Sequence, residues 1–129
     1  MNGASTGYVF YNCSNLSEIT LPDNIPCIGS NMFSGCSSLT SITIPNSVRN
    51  VFNDSFSYCT HLQSLTFTGL TGRCDIGTRL DSLTSLTINE GATQLRLTSS
   101  GSITEISIPS TVTQLCLSDN KLLRTITLS

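Results

Sequence analysis

Residues able to carry acid–base chemistry are few in this sequence, and they are not grouped. His61 is the single histidine, and it occupies the position that Asn15 or a serine holds in other copies of an internal repeat. A catalytic histidine needs a positioned nucleophile or acid, and the sequence indicates none. Glu18 and Glu105 share a repeat position but lie four coils apart, which excludes a paired acid and base. We therefore predict no catalytic residue and no cofactor.

The six cysteines are the other reactive side chains, and their spacing argues against a metal site. Cys13, Cys36 and Cys59 recur at equal intervals of one whole repeat, and each follows a phenylalanine at the i+3 position. Metal ligands cluster at short characteristic spacings, which an interval of this length does not provide. Residues in register on adjacent coils lie about 5 Å apart with parallel side chains. We predict that these three thiols are buried and reduced, and that Cys116 faces outward.

Two columns of polar side chains form the candidate recognition face. Each repeat copy contributes a residue from between two apolar positions, where a strand directs it to solvent. We expect this face to bind a protein or a glycan; a remote alternative is ice binding through regular hydroxyls, although Thr is favoured on any exposed strand. The candidate residues are Glu18, Thr20, Ser41, Thr43, Gln63, Ser64, Thr66, Ser85, Thr87, Glu105, Ser107, Arg124, Thr125 and Thr127.

These columns are positioned by a repeat of six copies. The first apolar positions of the copies are Leu16, Leu39, Leu62, Leu83, Ile103 and Leu123. Their spacing, about 20 to 23 residues, is the period of a solenoid coil. Each copy reads Leu-x-x-Ile-x-Ile, and its last steps alternate like a half-buried strand. We predict that these strands stack into one continuous parallel sheet. Pro22, Pro45 and Pro109 follow the strands, where a missing amide donor ends ladder pairing.

The rest of each coil must return the chain to the next strand. Apolar pairs such as Val48 and Val51 predict a second short strand or extended segment. In the first three coils Phe10, Phe33 and Phe56 precede the cysteines at an i, i+3 spacing, which favours a single helical turn with both side chains inward. We therefore predict a mainly-β solenoid, with a parallel sheet on one face and short helical turns on the other in the N-terminal half.

The segments NMFSGCSSLTSITIPNSVRNV and DSFSYCTHLQSLTF resemble the BspA-like leucine-rich repeats, surface proteins of anaerobic bacteria and some parasitic protists. The residues that match the family pattern in order are Phe33, Cys36, Leu39, Ile42, Ile44 and Pro45. The resemblance is strongest over residues 8–67, because residues 68–129 keep the strand pattern but lose the Phe and Cys. It implies a leucine-rich-repeat solenoid used for adhesion or recognition at the cell surface, with no catalytic residues to carry over.

Length and composition limit the possible functions further. The 129 residues fit one solenoid domain of about six coils over residues 1–129, with 23-residue coils to about residue 67 and coils of 20–21 residues after it. The net charge of -2 lacks the basic excess that binding to nucleic acid requires. No apolar run is long enough to insert in a membrane, and the first residues, MNGASTGY, lack a signal-peptide pattern.

Both ends of the repeat keep an apolar pattern, so we expect an uncapped solenoid. The parts of the chain that lie outside the five intervals between copies add up to roughly the length of one further coil. This arithmetic favours a second hypothesis, in which copies of the chain pair head to tail and polymerise into filaments. The alternative, which the sequence leaves equally open, is a fragment of a longer protein whose neighbouring coils are missing. The candidate assembly residues are Tyr8, Phe10, Leu123, Ile126 and Leu128.

Overall fold

The computed structural model describes residues 7–129. Residues 1–6, which belong to the predicted domain and to the start examined for a signal peptide, lie outside the described range. The described chain makes about five turns of a parallel solenoid, and none of it is helical or could cross a membrane as a helix. Its nine strands are β1 (Cys27–Ile28), β2 (Asn50–Val51), β3 (Ser64–Thr66), β4 (Arg73–Thr78), β5 (Ser85–Thr87), β6 (Gln94–Thr98), β7 (Glu105–Ile108), β8 (Gln114–Cys116) and β9 (Thr125–Leu128).

The longest sheet is formed by the return segments of the coils. It is parallel and five-stranded, in the order β1-β2-β4-β6-β8, and we call it the return face. The predicted return strands are therefore confirmed. β4 and β6 are its longest strands, with six and five residues, because their second halves continue around the side that the phenylalanine turns occupy in the first coils. There the amide of Phe56 donates to the carbonyl of Ile76 at 2.9 Å.

The Leu-x-x-Ile-x-Ile segments form the opposite surface, the hydroxyl face. Single bridges join Thr20 to Thr43 and Ser41 to Ser64, whereas β3 pairs with β5 and β7 pairs with β9 in two separate parallel sheets. The prediction of one continuous sheet is therefore wrong, because β5 and β7 are not paired. Within the paired parts the predicted register is confirmed, since Leu65 is opposite Leu86 and Ile106 is opposite Ile126.

The segments around the three phenylalanines are turns, so the predicted short helical turns are wrong. Each turn begins and ends with a left-handed residue, which interrupts an α-helix. These residues recur at the period of the repeat: Tyr8, Asn31 and Asp54 at the start, and Asn12, Gly35 and Tyr58 at the end. The amide of Phe33 donates to Ser55 in the next coil at 2.8 Å, whereas the amide of Cys36 bonds within its own turn to Phe33 at 3.0 Å. Hydrogen bonds between coils thus alternate with bonds inside the turn, so no continuous helix forms.

The core runs along the axis of the solenoid, between the two faces. The rings of Phe10, Phe33 and Phe56 stack with centroid separations of 5.4 and 5.3 Å, which is about the spacing of stacked coils. The inward ladder of the hydroxyl face is buried at Ile42, Leu65 and Ile106. It is only half-buried at Ile19 and is exposed at Ile126, in the first and last described copies.

Candidate functional site

The structure places the predicted recognition residues on the surface of the hydroxyl face. All of the fourteen are exposed except Ser64, which is half-buried. Strand pairing aligns Thr66 with Thr87 and Ser107 with Thr127, so the predicted columns exist within each two-stranded sheet. The columns are not continuous across the face, because β5 and β7 are unpaired. This break interrupts the regular hydroxyl array that the ice-binding hypothesis requires.

A cleft of about 370 Å³ opens on the hydroxyl face between β5 and β7. At three other junctions the residue before the strand donates its amide to the preceding coil: Gln63 to Thr40 at 3.0 Å, Thr84 to Gln63 at 3.0 Å and Arg124 to Thr104 at 2.8 Å. Within the described chain Thr104 donates no such bond to Thr84. Within the described chain, the junction between the fourth and fifth copies therefore lacks both this amide bond and strand pairing on the hydroxyl face.

Pro109 removes one further donor from this junction. At the next junction Ser129 donates its amide to the carbonyl of Ile108 at 3.1 Å. Pro109 occupies the same repeat position as Ser129 but has no N–H, so it cannot donate the corresponding bond. The open junction has a visible effect on the core. Leu86 is half-buried, whereas Leu65 and Ile106, at the same repeat position on either side, are buried.

The lining of this cleft combines hydroxyls, one carboxylate and an apolar floor. Glu105 is the single charged residue among the described residues that line it, and its carboxylate has no hydrogen-bond or ion-pair partner in the described chain. The floor is formed by Leu86, Ile88 and Ile106, and the hydroxyls come from Thr84, Ser85, Thr87, Ser107 and Thr127. Sequence reasoning identified most of these side chains as outward-facing but did not identify the cleft.

Two further open clefts lie on the hydroxyl face near the start of the described chain. One has a volume of about 460 Å³ and is lined by Glu18, Thr20, Ser41 and Thr43, together with Ile19 and Ile42. The other is larger, about 520 Å³, and runs from Ser41 to Thr68. The bridge between Thr20 and Thr43 spans the first of these junctions, so Glu18 lies beside a junction that is joined, whereas Glu105 lies beside one that is not.

A polar cluster on the return face was not found by sequence reasoning. The Nη1 atom of Arg96 lies 3.0 Å from Oδ1 of both Asp54 and Asp75. The hydrogen bond to Asp75 is the main cause that raises the pKa of the Arg96 guanidinium. Because about two fifths of the Arg96 side chain is exposed, water screens these pairs and each stabilises the fold only weakly. The sequence does not reveal this cluster, because Asp75 lies beside Arg96 only through the register in which β4 pairs with β6.

His61 makes a structural contact between coils. Its Nδ1 atom lies 2.7 Å from the carbonyl oxygen of Ser37, an acceptor, so the ring donates to the preceding coil. The residue is exposed, and it stands in the solvent-facing column that the repeat predicted. Among the described residues no group of three or more His, Cys, Asp or Glu side chains could hold a metal ion.

The cysteines divide according to their depth in the stack. Cys36 and Cys59 are buried, as predicted, and their thiols donate to the carbonyls of Phe10 and Phe33 at 3.2 and 3.1 Å. Burial raises the pKa of Cys36, and raises that of Cys59 to about 12. The prediction that Cys13 is buried is wrong, because it is exposed in the first described coil. Cys116 is exposed, as predicted.

The predicted assembly residues are largely accessible. Tyr8 is 59% exposed, Ile126 49% and Leu128 73%, whereas Phe10 and Leu123 are half-buried against the core. Leu115 and Leu122, which follow β7 in the chain, are exposed as well. The last described coil therefore carries several exposed apolar side chains.

Comparisons with known proteins agree with this architecture. The family model described as "BspA type Leucine rich repeat region (6 copies)" matches residues 6–96. A solved structure of a leucine-rich cell surface protein from Faecalibacterium prausnitzii A2-165 superposes with a TM-score of 0.58 and 24% identity, over 95% of this chain and 41% of that chain. No curated protein matches. Because the family model covers more than half of the sequence, the chain belongs to the BspA-type leucine-rich-repeat family.

Proposed function

We propose that the chain is a non-enzymatic recognition module of the adhesin type, which presents its hydroxyl face to a protein or glycan ligand. The observation that carries the proposal is the exposure of thirteen of the fourteen polar residues on one face, with Thr66 aligned to Thr87. Ser and Thr hydroxyls both donate and accept hydrogen bonds, so such a face suits a polar ligand. Membership of a leucine-rich-repeat family and the cell-surface title of a similar structure support the same proposal.

The test compares substitutions on the hydroxyl face with a matched substitution elsewhere. Thr66→Arg combined with Thr87→Arg places bulky cations in the centre of the face, and Thr71→Arg introduces the same side chain at an exposed loop position. Purified variants are applied to a glycan array and to immobilised extracellular proteins. We expect the double variant to lose the binding of the unmodified chain and Thr71→Arg to keep it, at unchanged melting temperatures. Binding that survives the double variant would contradict the proposal.

A second candidate function is head-to-tail assembly, and the exposed C-terminal end of the described solenoid favours it. Leu115, Leu122, Ile126 and Leu128 are 46%, 53%, 49% and 73% exposed. β8 and β9 are edge strands of their sheets, and exposed edges with apolar neighbours are templates for further strands. We propose that the opposite end of a second copy covers this surface, as a further coil would.

Sedimentation velocity at increasing concentration tests the assembly proposal. We expect the unmodified chain to form concentration-dependent polymers. Ile126→Arg with Leu128→Glu should dissolve them, because it charges the end surface. Thr125→Arg with Thr127→Glu is the matched control, since it changes the outward residues of the same strand and should leave the polymers intact. An unmodified chain that remains monomeric at every concentration would rule out this candidate.

A further inference from the structure

We infer that the cleft between β5 and β7 is a saccharide subsite, which takes one neutral hexose unit of a glycan. This inference rests on the proposed recognition function and assigns to one junction of the hydroxyl face the chemistry of its ligand. The junction differs from its neighbours, because β5 and β7 are stacked without strand pairing. It is therefore a place in the solenoid where polar backbone and side-chain groups remain available to a ligand.

The side-chain hydroxyls of the cleft match the groups of a sugar. Five of the nine lining residues carry a hydroxyl, and each hydroxyl can donate one hydrogen bond and accept others. A sugar hydroxyl has the same dual capacity, so the two sets can pair in several arrangements. A lysine side chain of a protein partner has three donors and no acceptor. It would leave the donor capacity of the cleft unused.

Glu105 determines which ligand charge the cleft accepts. Its carboxylate is the single charged group among the described residues lining the cleft, and no cation in the described chain neutralises it. A negatively charged ligand would be repelled. A neutral diol can donate two hydrogen bonds to the two carboxylate oxygens, and hydrogen bonds to an ionised acceptor are shorter and about twice as strong as neutral ones.

The apolar floor and the unpaired strand edges offer a sugar two further kinds of contact, apolar packing and backbone hydrogen bonds. Leu86 is half-buried although it occupies an interior position, so its apolar surface is accessible to the C–H groups of a sugar ring. Thr104 does not make the amide bond to the preceding coil that Gln63, Thr84 and Arg124 make, which leaves backbone groups for the ring hydroxyls. Unpaired backbone groups of this kind are costly when they are covered without a partner, so a ligand that bonds to them is favoured over an apolar one.

The size and openness of the cleft suit one sugar unit of a longer chain. A volume of about 370 Å³ lies at the lower end of the range of about 300 to 1,000 Å³ for small-molecule sites. The cleft is open to solvent along the hydroxyl face, so a neighbouring sugar unit can extend over Thr66 on one side. The subsite would thus bind one sugar unit of a glycan that lies on the hydroxyl face.

Amide spectra of the ¹⁵N-labelled chain test the inference directly. The probes are the methyl glycosides of glucose, galactose, mannose and N-acetylglucosamine at millimolar concentration, with N-acetyl-lysine methylamide as the cationic comparison. We expect at least one glycoside to cause saturable shifts confined to the amides of residues 84–88 and 104–107, and the lysine derivative to cause none. Glu105→Gln keeps the shape of the side chain but removes its charge, and should weaken the binding about tenfold.

Asp23→Asn is the control, because Asp23 is an exposed carboxylate outside the fourteen residues of the recognition face and outside the clefts described above. It should leave the affinity at the β5/β7 cleft unchanged. If the lysine derivative shifts these amides and the glycosides do not, or if no probe shifts them, the subsite assignment is wrong. Loss of ligand binding in the Thr66→Arg and Thr87→Arg variant, with no glycoside effect, would refute the subsite alone. Glycoside binding at the cleft, with ligand binding that survives that variant, would refute the proposed function alone.

Discussion

Ile42 and Ile126 occupy the same position of the repeat, but the first is 8% exposed and the second 49%. We expect Ile42→Ala to lower the free energy of unfolding by about 2 to 5 kcal/mol, since it removes buried methyl groups and leaves a cavity. The same change at Ile126 should cost less than about 1 kcal/mol, because much of its side chain already contacts water. Urea unfolding of the two variants provides the comparison. Equal costs would show that position in the stack does not control burial.

Thiol reactivity should divide the cysteines in the same way. The thiolate is the reactive species, and burial raises the pKa of Cys59 to about 12, so this side chain stays protonated well above neutral pH. We expect Cys13 and Cys116, which are exposed, to react rapidly with iodoacetamide at pH 8, whereas Cys36 and Cys59 react only after unfolding. Peptide mass spectrometry identifies the alkylated residues. Rapid alkylation of Cys59 in the folded chain would contradict its placement in the core.

The sequence pattern predicted side-chain direction well and burial less well. Alternation along each strand correctly places Thr66 outward and Leu65 inward, because the period of a strand is a local property of the chain. Burial also depends on the coils to either side. Cys13 has the same local pattern as Cys36 yet is exposed, since it lies in the first coil of the described range. No local signal distinguishes the two cysteines.

At the scale of the elements, β4 contains the clearest test of the close packing between coils. Its register against β6 shifts between Asp75 and Gly77, and Gly77 has a φ of +115°. A Cβ atom at Gly77 would collide with Oγ of Ser57 and lie 3.1 Å from its backbone nitrogen. We expect Gly77→Ala to destabilise the fold by about 1 to 3 kcal/mol, because it combines backbone strain with this collision. Thermal unfolding measures the effect.

Gly101→Ala is the matched control for this substitution. A Cβ atom there would meet its nearest described neighbour, the carbonyl oxygen of Asp81, at 3.5 Å, which is ordinary contact. Its melting temperature should therefore stay close to that of the unmodified chain. A Gly77→Ala variant as stable as Gly101→Ala would show that the bulge in β4 relaxes without cost.

A strand or turn could be predicted only where the spacing of its apolar residues is compatible with a single structure. The return strands followed from apolar pairs and from the shorter coils after about residue 67. The i, i+3 spacing of Phe33 and Cys36 directs both side chains inward in a helical turn, and the observed turn achieves the same result. The left-handed conformation of Asn31 and Gly35 makes the segment a turn rather than a helix. The sequence does not show this in advance, because Asn and Gly also occur in other turns. The spacing alone therefore could not exclude a helix.

For the whole molecule, the candidate site depended on pairing between coils that no single coil specifies. The residues Thr87 and Glu105 were identified from the sequence, and their exposure follows from alternation. The cleft lies between β5 and β7, which lack the pairing that joins β3 to β5. Pro109 was correctly interpreted as a place where pairing ends, yet Pro45 has the same role at a junction that keeps the bridge between Thr20 and Thr43. A proline at this position therefore does not by itself predict an open junction.

The same open junction should divide the unfolding of the solenoid, because each coil is stabilised by its neighbours alone. Between the fourth and fifth copies the hydroxyl face contributes no strand pairing, and the three residue pairs of β6 with β8 hold the return face. We expect residues 103–129 to lose hydrogen-exchange protection together, before residues 30–83, when exchange is followed by mass spectrometry in the native state. Pro109→Ala supplies an amide that can donate to the carbonyl of Ile88, as Ser129 does to Ile108, and should slow this block relative to the rest. Uniform protection from residue 30 to residue 129, or earlier exchange around Phe33, would show that the open junction does not weaken the stack.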